Sequence, residues 1–296
     1  MKEPYYQDDM ITLHHGPALE VARHLGTGTV QSIVASPPYY GLRDYDHDEQ
    51  YGSESSLNHY VMNLTLLFGE LRRVLDDSGT LWLNLGDTYA GRANAGRKYD
   101  GHRGLERPKV MPKRKNTTGD APFKNLLMVP SRVALALQND GWILRNDIIW
   151  RKTNAKPESV KDRVSQTYEH IYLFTKKPKY FFNLDEIRAW RTTKHRDHWD
   201  IPNPGDVWDI AVQPFAGAHF ATFPEEIPRR AILAGTDEYD TVLDPFSGSG
   251  TTGMVAQQLQ RKYIGIDINA DYLDLSLRHR FSQPALSLAG TEEEIA

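Results

Sequence analysis

The run Val242-Leu243-Asp244-Pro245-Phe246-Ser247-Gly248-Ser249-Gly250-Thr251-Thr252-Gly253 joins a short apolar strand to the start of a helix through a glycine-rich turn. Glycines in such a turn let the backbone approach a ligand closely, and the amides of the helix N-terminus are free to donate hydrogen bonds. Further on, Tyr263-Ile264-Gly265-Ile266-Asp267 reads as a second apolar strand that ends in a carboxylate. A carboxylate at that place can accept both hydroxyl groups of a ribose. The two strands predict a site for a nucleoside-type cofactor.

The same glycines also satisfy the G-x-G-x-x-G pattern of dinucleotide-binding enzymes, and Asp267 follows Gly248 by 19 residues. Two observations count against a nicotinamide or flavin enzyme. Asp244 stands directly before the turn, where a pyrophosphate would lie and where the cationic amine of a methionine-type group would be favoured. Only 46 residues follow Gly250, too few for the second half of a dinucleotide fold unless that half comes earlier in the chain.

A second strand-end motif lies near the N-terminus, in Ile33-Val34-Ala35-Ser36-Pro37-Pro38-Tyr39-Tyr40-Gly41. Pro37 and Pro38 remove two backbone donors and stiffen the chain, which leaves the carbonyls of Ser36 and Pro37 available as acceptors. A hydroxyl, a carbonyl and an aromatic ring at one strand end suit a planar base with an exocyclic amine, since acceptors hold the amino hydrogens while the ring stacks. The alternative is a tight turn in which Tyr39 fills the core.

Strand-like and helix-like stretches alternate around these motifs. Apolar or β-branched runs predict strands at residues 32–35, 80–85, 142–150, 171–175, 240–243 and 263–268. Helical periodicity predicts helices at residues 60–75, 131–138, 224–234 and 250–259. This alternation favours an α/β fold, a mostly parallel sheet with helices on both faces, in which ligands bind at the carboxyl ends of the strands.

The composition excludes several kinds of chemistry. The 296 residues carry 35 Lys and Arg against 39 Asp and Glu, a formal charge of −4, and no cysteine. Disulfides, thiolate metal sites and thiol nucleophiles are therefore excluded. None of the 11 histidines has a convincing ligand spacing, so no metal is predicted. The N-terminus lacks a signal-peptide pattern and no apolar run is long enough to span a membrane, so we expect a soluble, cytoplasmic protein.

Positive charge is concentrated in residues 91–120, where nine basic residues face three acidic ones. This segment predicts a surface loop that contacts a polyanion, with a solvated linker as the alternative. Residues 183–222 break the strand and helix alternation and carry basic and aromatic residues, which suggests a recognition region. The candidate polyanion-binding residues in the two segments, which the resemblance described next makes predicted DNA-binding residues, are Arg92, Arg97, Lys98, Lys113, Arg114, Lys115, Arg191, Lys194 and Arg196.

The pair S-P-P-Y at residues 36–39 and D-P-F-S-G-S-G-T-T at residues 244–252 resembles the two signatures of the DNA amino-methyltransferases, in the order found in the beta group of that family. The resemblance extends over residues 79–87, 141–152, 168–171 and 220–231. It implies a Rossmann-like methyltransferase fold with a seven-stranded sheet, one strand of which is antiparallel, plus a small target-recognition region. Residues 1–182 would form the catalytic part with a basic loop at 88–123, residues 183–219 the target-recognition region, and residues 220–296 the cofactor-binding part of the same methyltransferase domain.

The resemblance also implies a reaction: transfer of a methyl group from S-adenosylmethionine to an exocyclic amine in double-stranded DNA. Serine at position 36 resembles the N4-cytosine enzymes, whereas aspartate there is typical of the N6-adenine enzymes, so N4-cytosine is the first choice and N6-adenine the alternative. Without cysteine the chain cannot form the covalent adduct that carbon-5 cytosine methylation requires. The implied catalytic residues are Ser36, Pro37, Pro38 and Tyr39. The implied cofactor-binding residues are Phe220, Thr222, Glu225, Asp244, Pro245, Phe246, Gly248, Gly250, Thr251, Thr252 and Asp267.

Other classes of protein stay open at this point. An RNA or small-molecule methyltransferase would share the cofactor motif but has less use for the basic loop. A non-enzymatic DNA-binding module would explain the basic residues but not residues 244–252. The resemblance further implies a prokaryotic or phage-encoded enzyme, in a restriction-modification system or acting as an orphan. A homodimer and a separately acting restriction endonuclease are compatible with it.

Overall fold

The computed structural model describes residues 3–42, 47, 49–91, 121–190, 203–213 and 224–281 of the chain. Within these residues the strands are β1 (Tyr6–Gln7), β2 (Ile11–His15), β3 (Val30–Ala35), β4 (Leu75–Leu85), β5 (Ile143–Lys152), β6 (Tyr168–Thr175), β7 (Val207–Ile210), β8 (Thr241–Asp244) and β9 (Lys262–Asp267). The helices are α1 (Ala18–His24), α2 (Leu57–Val74), α3 (Val129–Asn139), α4 (Leu184–Trp190), α5 (Glu226–Gly235), α6 (Thr251–Gln258) and α7 (Ala270–Ser276), and a π-helical turn, Leu277–Phe281, continues α7.

The strands form one sheet in the order β1-β2-β9-β8-β3-β4-β6-β5-β7. β6 runs antiparallel to both β4 and β5, β1 runs antiparallel to β2, and the other neighbours are parallel. The α/β fold with a mostly parallel sheet is confirmed, but the expected count of seven strands is wrong, because β1 and β7 extend the sheet at its two edges. The seven inner strands contain one antiparallel member, as expected.

Side chains alternate along each strand, so both faces of the sheet carry apolar residues, and helices cover both faces. Ile33 and Leu81 point to the face covered by α1, α2 and α3, whereas Val34 and Trp82 point to the face covered by α4, α5, α6 and α7. Each face carries its own buried apolar cluster. The sheet therefore lies between two layers of helices, and a ligand can reach it at the carboxyl ends of the parallel strands.

The helix predicted at residues 60–75 is α2, which starts three residues earlier than predicted. Its first turn is fixed by Ser56, whose side chain accepts a hydrogen bond from the His59 amide. The face that carries Tyr60, Leu64 and Leu71 is fully buried, as the spacing of four and seven residues dictates. None of the helices in the described ranges is long and apolar enough to cross a membrane.

The described parts of residues 183–219 belong to the main body of the fold. Ile187 of α4 is buried in the core, and β7 pairs with β5 so that Trp208 and Ile210 are buried as well. Residues 92–120 and 191–202, which carry all nine predicted DNA-binding residues, lie outside the described residues.

The two motifs meet because of the strand order. The C-terminal strands β8 and β9 lie between the N-terminal strands β2 and β3, so residues separated by two hundred positions in sequence end side by side. The order along the sheet reverses between β8 and β3. Such a switch point leaves a crevice at the carboxyl ends of the strands, where ligands bind in open α/β sheets.

Candidate active site

A cavity of about 250 Å³ occupies this switch point. One end is formed by the glycine turn, defined here as residues 245–250, and by the ends of β2 and β9. The other end is formed by the proline turn, residues 36–39, and by the ends of β4 and β5 and the start of β6. The predicted residues that line it are Ser36, Pro37, Pro38, Tyr39, Pro245, Phe246, Gly248, Thr251 and Asp267.

Asp267 is set at the glycine-turn end by two backbone amides. Its Oδ2 accepts from the Gly248 amide at 2.7 Å and its Oδ1 accepts from the Asn269 amide at 2.8 Å. Burial raises the pKa of the carboxyl group to about 6. Each oxygen retains a second lone pair, so the carboxylate can still accept hydroxyl groups from a ligand in the cavity.

Two hydroxyl groups at this end are left for a ligand. The side-chain oxygens of Ser249 and Thr251 are buried without a hydrogen-bond partner among the described residues, and both residues line the cavity. Buried polar atoms are rarely left unpaired in a finished structure. Together with Asp267 they offer a ribose acceptor and two polar contacts, a set that fits the ribose and the amino-acid end of S-adenosylmethionine.

Asp244 does not fit its predicted role in direct cofactor binding. It is 1% exposed and absent from the cavity wall. Its Oδ1 accepts from the Phe246 amide at 2.9 Å and its Oδ2 from the Thr252 hydroxyl at 2.6 Å. Burial raises the pKa of Asp244 to about 7. The residue braces the glycine turn from inside, because the first turn of α6 brings Thr252 back onto the end of β8.

Three further predicted cofactor residues also lie off the cavity wall. Thr252 is fully buried beneath the turn, and Gly250 adopts a φ of +79° where a side chain would collide with Ser276 and Phe281. Glu225 precedes α5 and pairs with Arg280 at 3.3 Å. Phe220 and Thr222 lie outside the described residues.

The proline turn is fixed by its surroundings. Tyr60 donates to the Pro38 carbonyl at 2.9 Å, and a side chain at Gly52 would come within 2.8 Å of the Tyr39 carbonyl. Tyr51 packs edge-on against Phe246 with ring centroids 5.5 Å apart, which ties the segment over the proline turn to the glycine turn. The two ends of the cavity are therefore held in register by aromatic packing.

Tyr39 is fixed both by the packing of its ring and by hydrogen bonds of its hydroxyl group. Its ring packs so closely against Gly86 that a Cβ there would lie 2.5 Å from Tyr39 Cε2. Its hydroxyl donates toward Glu169 Oε2 at 2.5 Å and toward Asn84 Oδ1 at 3.2 Å. Burial, strengthened by the Glu169 charge, raises the pKa of Tyr39 well above its usual value. Stacking on a base would have to use the part of the ring that faces the cavity.

The sequence reasoning missed the polar cluster, defined here as Asn84, Lys152 and Glu169, which lines the proline-turn end of the cavity. Lys152 pairs with Glu169 and lies 5.0 Å from the centroid of the Trp150 ring. All three residues sit where β4 and β5 end and β6 begins, which is one edge of the sheet because β6 is antiparallel. The sequence held a signal for these residues, since Asn84 interrupts the apolar run of β4, Lys152 ends β5, and Glu169 precedes the apolar run of β6. In the described part of the chain no group of three or more His, Cys, Asp or Glu residues could hold a metal ion.

Comparison with known proteins gives the same class of protein throughout. The chain matches the family model of N6/N4 type described as DNA methylase over residues 30–278. It is 46% identical over 272 residues to the type II methyltransferase M.Cfr9I of Citrobacter freundii, covering 90% of this chain and 86% of that protein. It is 42% identical over 261 residues to the type II methyltransferase M.SmaI of Serratia marcescens, covering 88% and 87%.

Solved structures of DNA methyltransferases share the fold. One is the PvuII DNA methyltransferase, named as cytosine-N4-specific, with a TM-score of 0.71 at 20% identity over 97% of this chain and 91% of that one. Another is a DNA modification methylase from Thermus thermophilus, described as putative and complexed with S-adenosyl-L-methionine, with a TM-score of 0.59 at 22% identity over 89% and 90%.

Proposed function

The chain belongs to the DNA methylase family of N6/N4 type, and from that membership we propose that it methylates the N4 amine of cytosine at a specific site in double-stranded DNA. The methyl donor is S-adenosylmethionine. One observation carries the proposal: a single cavity joins the glycine turn, which suits the donor, to the proline turn, which suits an aromatic amine.

At the donor end, Asp267 would hold the ribose, and Ser249 and Thr251 would contact the amino-acid part of the donor. Phe246 is set by its contact with Tyr51 and shields this end from water. When bound, S-adenosylmethionine supplies a sulfonium methyl group, whose C–S electron pair stays on sulfur as the amine nitrogen forms the new N–C bond. The protein's task is to aim the amine along that line.

At the base end, Ser36 and the Pro37 carbonyl would accept the two amine hydrogens. The lone pair of an aromatic amine is delocalised into the ring and is a poor nucleophile. Two acceptors favour a pyramidal nitrogen whose lone pair points at the methyl group, an electrostatic and geometric effect that is present before the reaction begins. The methylated nitrogen is then positively charged and gives one of these two protons to water. A cytosine has to leave the duplex to reach this position.

Cytosine is proposed because Ser36 stands where the resemblance places aspartate in adenine enzymes. The name of the PvuII methyltransferase, cytosine-N4-specific, supports this choice. The test is to express the protein in a methylation-free bacterium, digest the DNA to nucleosides and identify them by mass. N4-methylcytosine is the expected product, and N6-methyladenine would contradict the choice of base.

Ser36→Ala tests the assignment of the base end. Because the acceptor acts mainly in the transition state, the rate of methyl transfer should fall by about 100-fold or more, with the affinity for S-adenosylmethionine unchanged. Single-turnover transfer of labelled methyl groups and calorimetry measure the two quantities. Wild-type transfer by the folded variant would contradict the role.

We further propose that the basic loop contacts DNA phosphates and that residues 183–219 contribute to target recognition, as the charge pattern suggests. We propose that the protein acts in the cytoplasm, because bacterial DNA and S-adenosylmethionine are found there. A homodimer and a separately acting restriction endonuclease remain proposals, and sedimentation of the purified chain tests the first of them.

A further inference from the structure

A pocket that selects cytosine needs a hydrogen-bond donor as well as acceptors for the amine. Along the edge that carries its amine, cytosine presents the N4 hydrogens, then the N3 lone pair and then the O2 carbonyl oxygen. Adenine presents an amine and a ring nitrogen in the same order, but a C–H group in place of the carbonyl. Enzymes read a flipped base by hydrogen bonds along this edge. A donor that faces O2 would therefore distinguish cytosine from adenine.

Several side-chain donors at the proline-turn end of the cavity already have their hydrogens in use. The Tyr39 hydroxyl donates toward Glu169 and Asn84. Asn84 Nδ2 donates to Glu169 and to a backbone carbonyl of β6, each at 3.1 Å. The Trp150 indole donates to a backbone carbonyl of β7 at 2.9 Å. None of these three groups has a hydrogen left for a base.

Lys152 still has hydrogens to donate. It lines the same end of the cavity, and a lysine amine offers three hydrogens, one of which is taken by Glu169 Oε1. No second acceptor for this amine lies within the described ranges of the chain. The side chain is only 23% exposed. Donors in such a largely buried place are usually paired, so the remaining hydrogens of Lys152 suit an acceptor on a ligand in the cavity.

The amine of Lys152 is held in place from two sides. Glu169 accepts from it on the neighbouring strand β6, and its Nζ lies 5.0 Å from the centroid of the Trp150 ring. The Glu169 side chain is 12% exposed, and its Oε2 also accepts from Tyr39 and Asn84. Glu169 cannot turn away without breaking these bonds, so the donor is fixed before a base arrives.

The strand order sets the separation between Lys152 and Ser36. β3 leads into Ser36 and β5 ends at Lys152, with β4 and β6 between them. Three strand spacings of about 4.8 Å put the two backbones about 14 Å apart. The lysine side chain shortens this gap, because it reaches back to Glu169 on β6. The edge of cytosine with a hydrogen bond at each end spans about 10 Å, so the base fits between the two groups.

We propose that Lys152 donates a hydrogen bond to O2 of the flipped cytosine and thereby selects cytosine over adenine. The inference rests on the proposed function and deepens it, since it names the residue that contacts the base at the far end of its edge from the amine. Adenine would turn a C–H group toward Lys152 and leave the amine hydrogens unpaired. A site built to hydrogen-bond its substrate rejects an analogue without the partner atom for this reason.

The test combines Lys152→Met with DNA in which sulfur replaces O2 of cytosine. Bacterial genomic fragments are amplified with dCTP or with 2-thio-dCTP, because sulfur is a weaker acceptor than oxygen, and single-turnover transfer of labelled methyl groups is measured. The wild type should be about tenfold slower on 2-thiocytosine DNA, and Lys152→Met about 10- to 100-fold slower than the wild type on ordinary DNA. The variant should treat both DNAs alike within about twofold, because the contact that sulfur weakens is already absent.

Two controls accompany the cycle. Lys262→Met removes an exposed lysine at the start of β9, at the end of that strand away from the cavity, and should match the wild type on both DNAs. Calorimetry should give Lys152→Met an affinity for S-adenosylmethionine within about twofold of the wild type, which shows that the variant is folded. Any effect of sulfur on contacts elsewhere in the DNA is common to all three proteins, so the comparison between them isolates Lys152.

Equal transfer to both DNAs by the wild type would overturn the inference, whether or not Lys152→Met folds. An equal loss from sulfur in the wild type and in the variant, or a wild-type rate for the folded variant, would overturn it as well. N6-methyladenine as the product on ordinary DNA, or no methylated base from a chain that binds S-adenosylmethionine, would instead overturn the proposed function.

Discussion

Replacing Gly86 with alanine would place a methyl group where the Tyr39 ring now lies. The new Cβ would stand 2.5 Å from Tyr39 Cε2 and 3.0 Å from Cδ2. Carbon atoms in contact prefer about 3.5 Å or more, so the ring must retreat by about 1 Å. That movement pulls the hydroxyl from Glu169 and from Asn84. We expect a loss of about 1–3 kcal/mol in the free energy of unfolding and, because a misplacement of about 1 Å can cost about 100-fold in rate, a similar loss in methyl transfer.

Urea denaturation and single-turnover transfer measure the two effects. Gly69→Ala is the matched control: it lies within α2, and its Cβ would meet only the exposed Asp140 carboxylate at 3.3 Å. There alanine should be neutral or stabilise by up to about 1 kcal/mol. If Gly86→Ala has wild-type stability and wild-type transfer, the ring is free to move and the reasoning about Tyr39 is wrong.

Three further predictions follow from buried carboxylates and from charge. Burial raises the pKa of Asp244 to about 7, so the folded state holds a proton that the unfolded state has lost, and stability falls as pH rises toward 7. From pH 5.5 to 8 the free energy of unfolding should fall by about 2 kcal/mol, and Asp244→Asn should lack this fall. Urea denaturation of both proteins at the two pH values measures it, and an equal fall in both would contradict the prediction. Asp267→Ala should weaken S-adenosylmethionine binding by about 2–4 kcal/mol in calorimetry and leave DNA affinity unchanged. Replacing Lys113, Arg114 and Lys115 with alanine should flatten the salt dependence of DNA binding by up to about three in slope, measured by fluorescence anisotropy, for cognate and non-cognate duplexes alike.

Much of the sheet could be predicted because its central strands are buried on both faces and therefore read as apolar runs. The strands predicted at residues 80–85 and 263–268 end within one residue of the C-terminal ends of β4 and β9. β1 has two residues and leaves no such signal. β7 alternates exposed and buried side chains over four residues, and its edge position depends on pairing with β5 rather than on its own composition.

The motifs of the site could be found from sequence, whereas the direction of individual side chains could not. Asp244 and Asp267 both end apolar strands, yet Asp267 lines the cavity and Asp244 turns inward to Thr252. The difference is made by the first turn of α6, which brings a hydroxyl onto one carboxylate. In the same way, nothing next to Tyr39 in sequence indicates that its hydroxyl meets Glu169, 130 positions away.

The insertion of β8 and β9 between β2 and β3 sets an order of events during synthesis. When the ribosome has made β3, its partner β8 is still about 200 residues from being translated, which is about 10–40 s of elongation. Until then one edge of β3 has no neighbour and the end of β2 has no strand beside it. The donor pocket therefore cannot form before β8 and β9 have been made, and a nascent chain that stops short of them lacks the glycine turn and Asp267. An exposed β3 edge also makes this interval the time at which the chain most needs protection from aggregation.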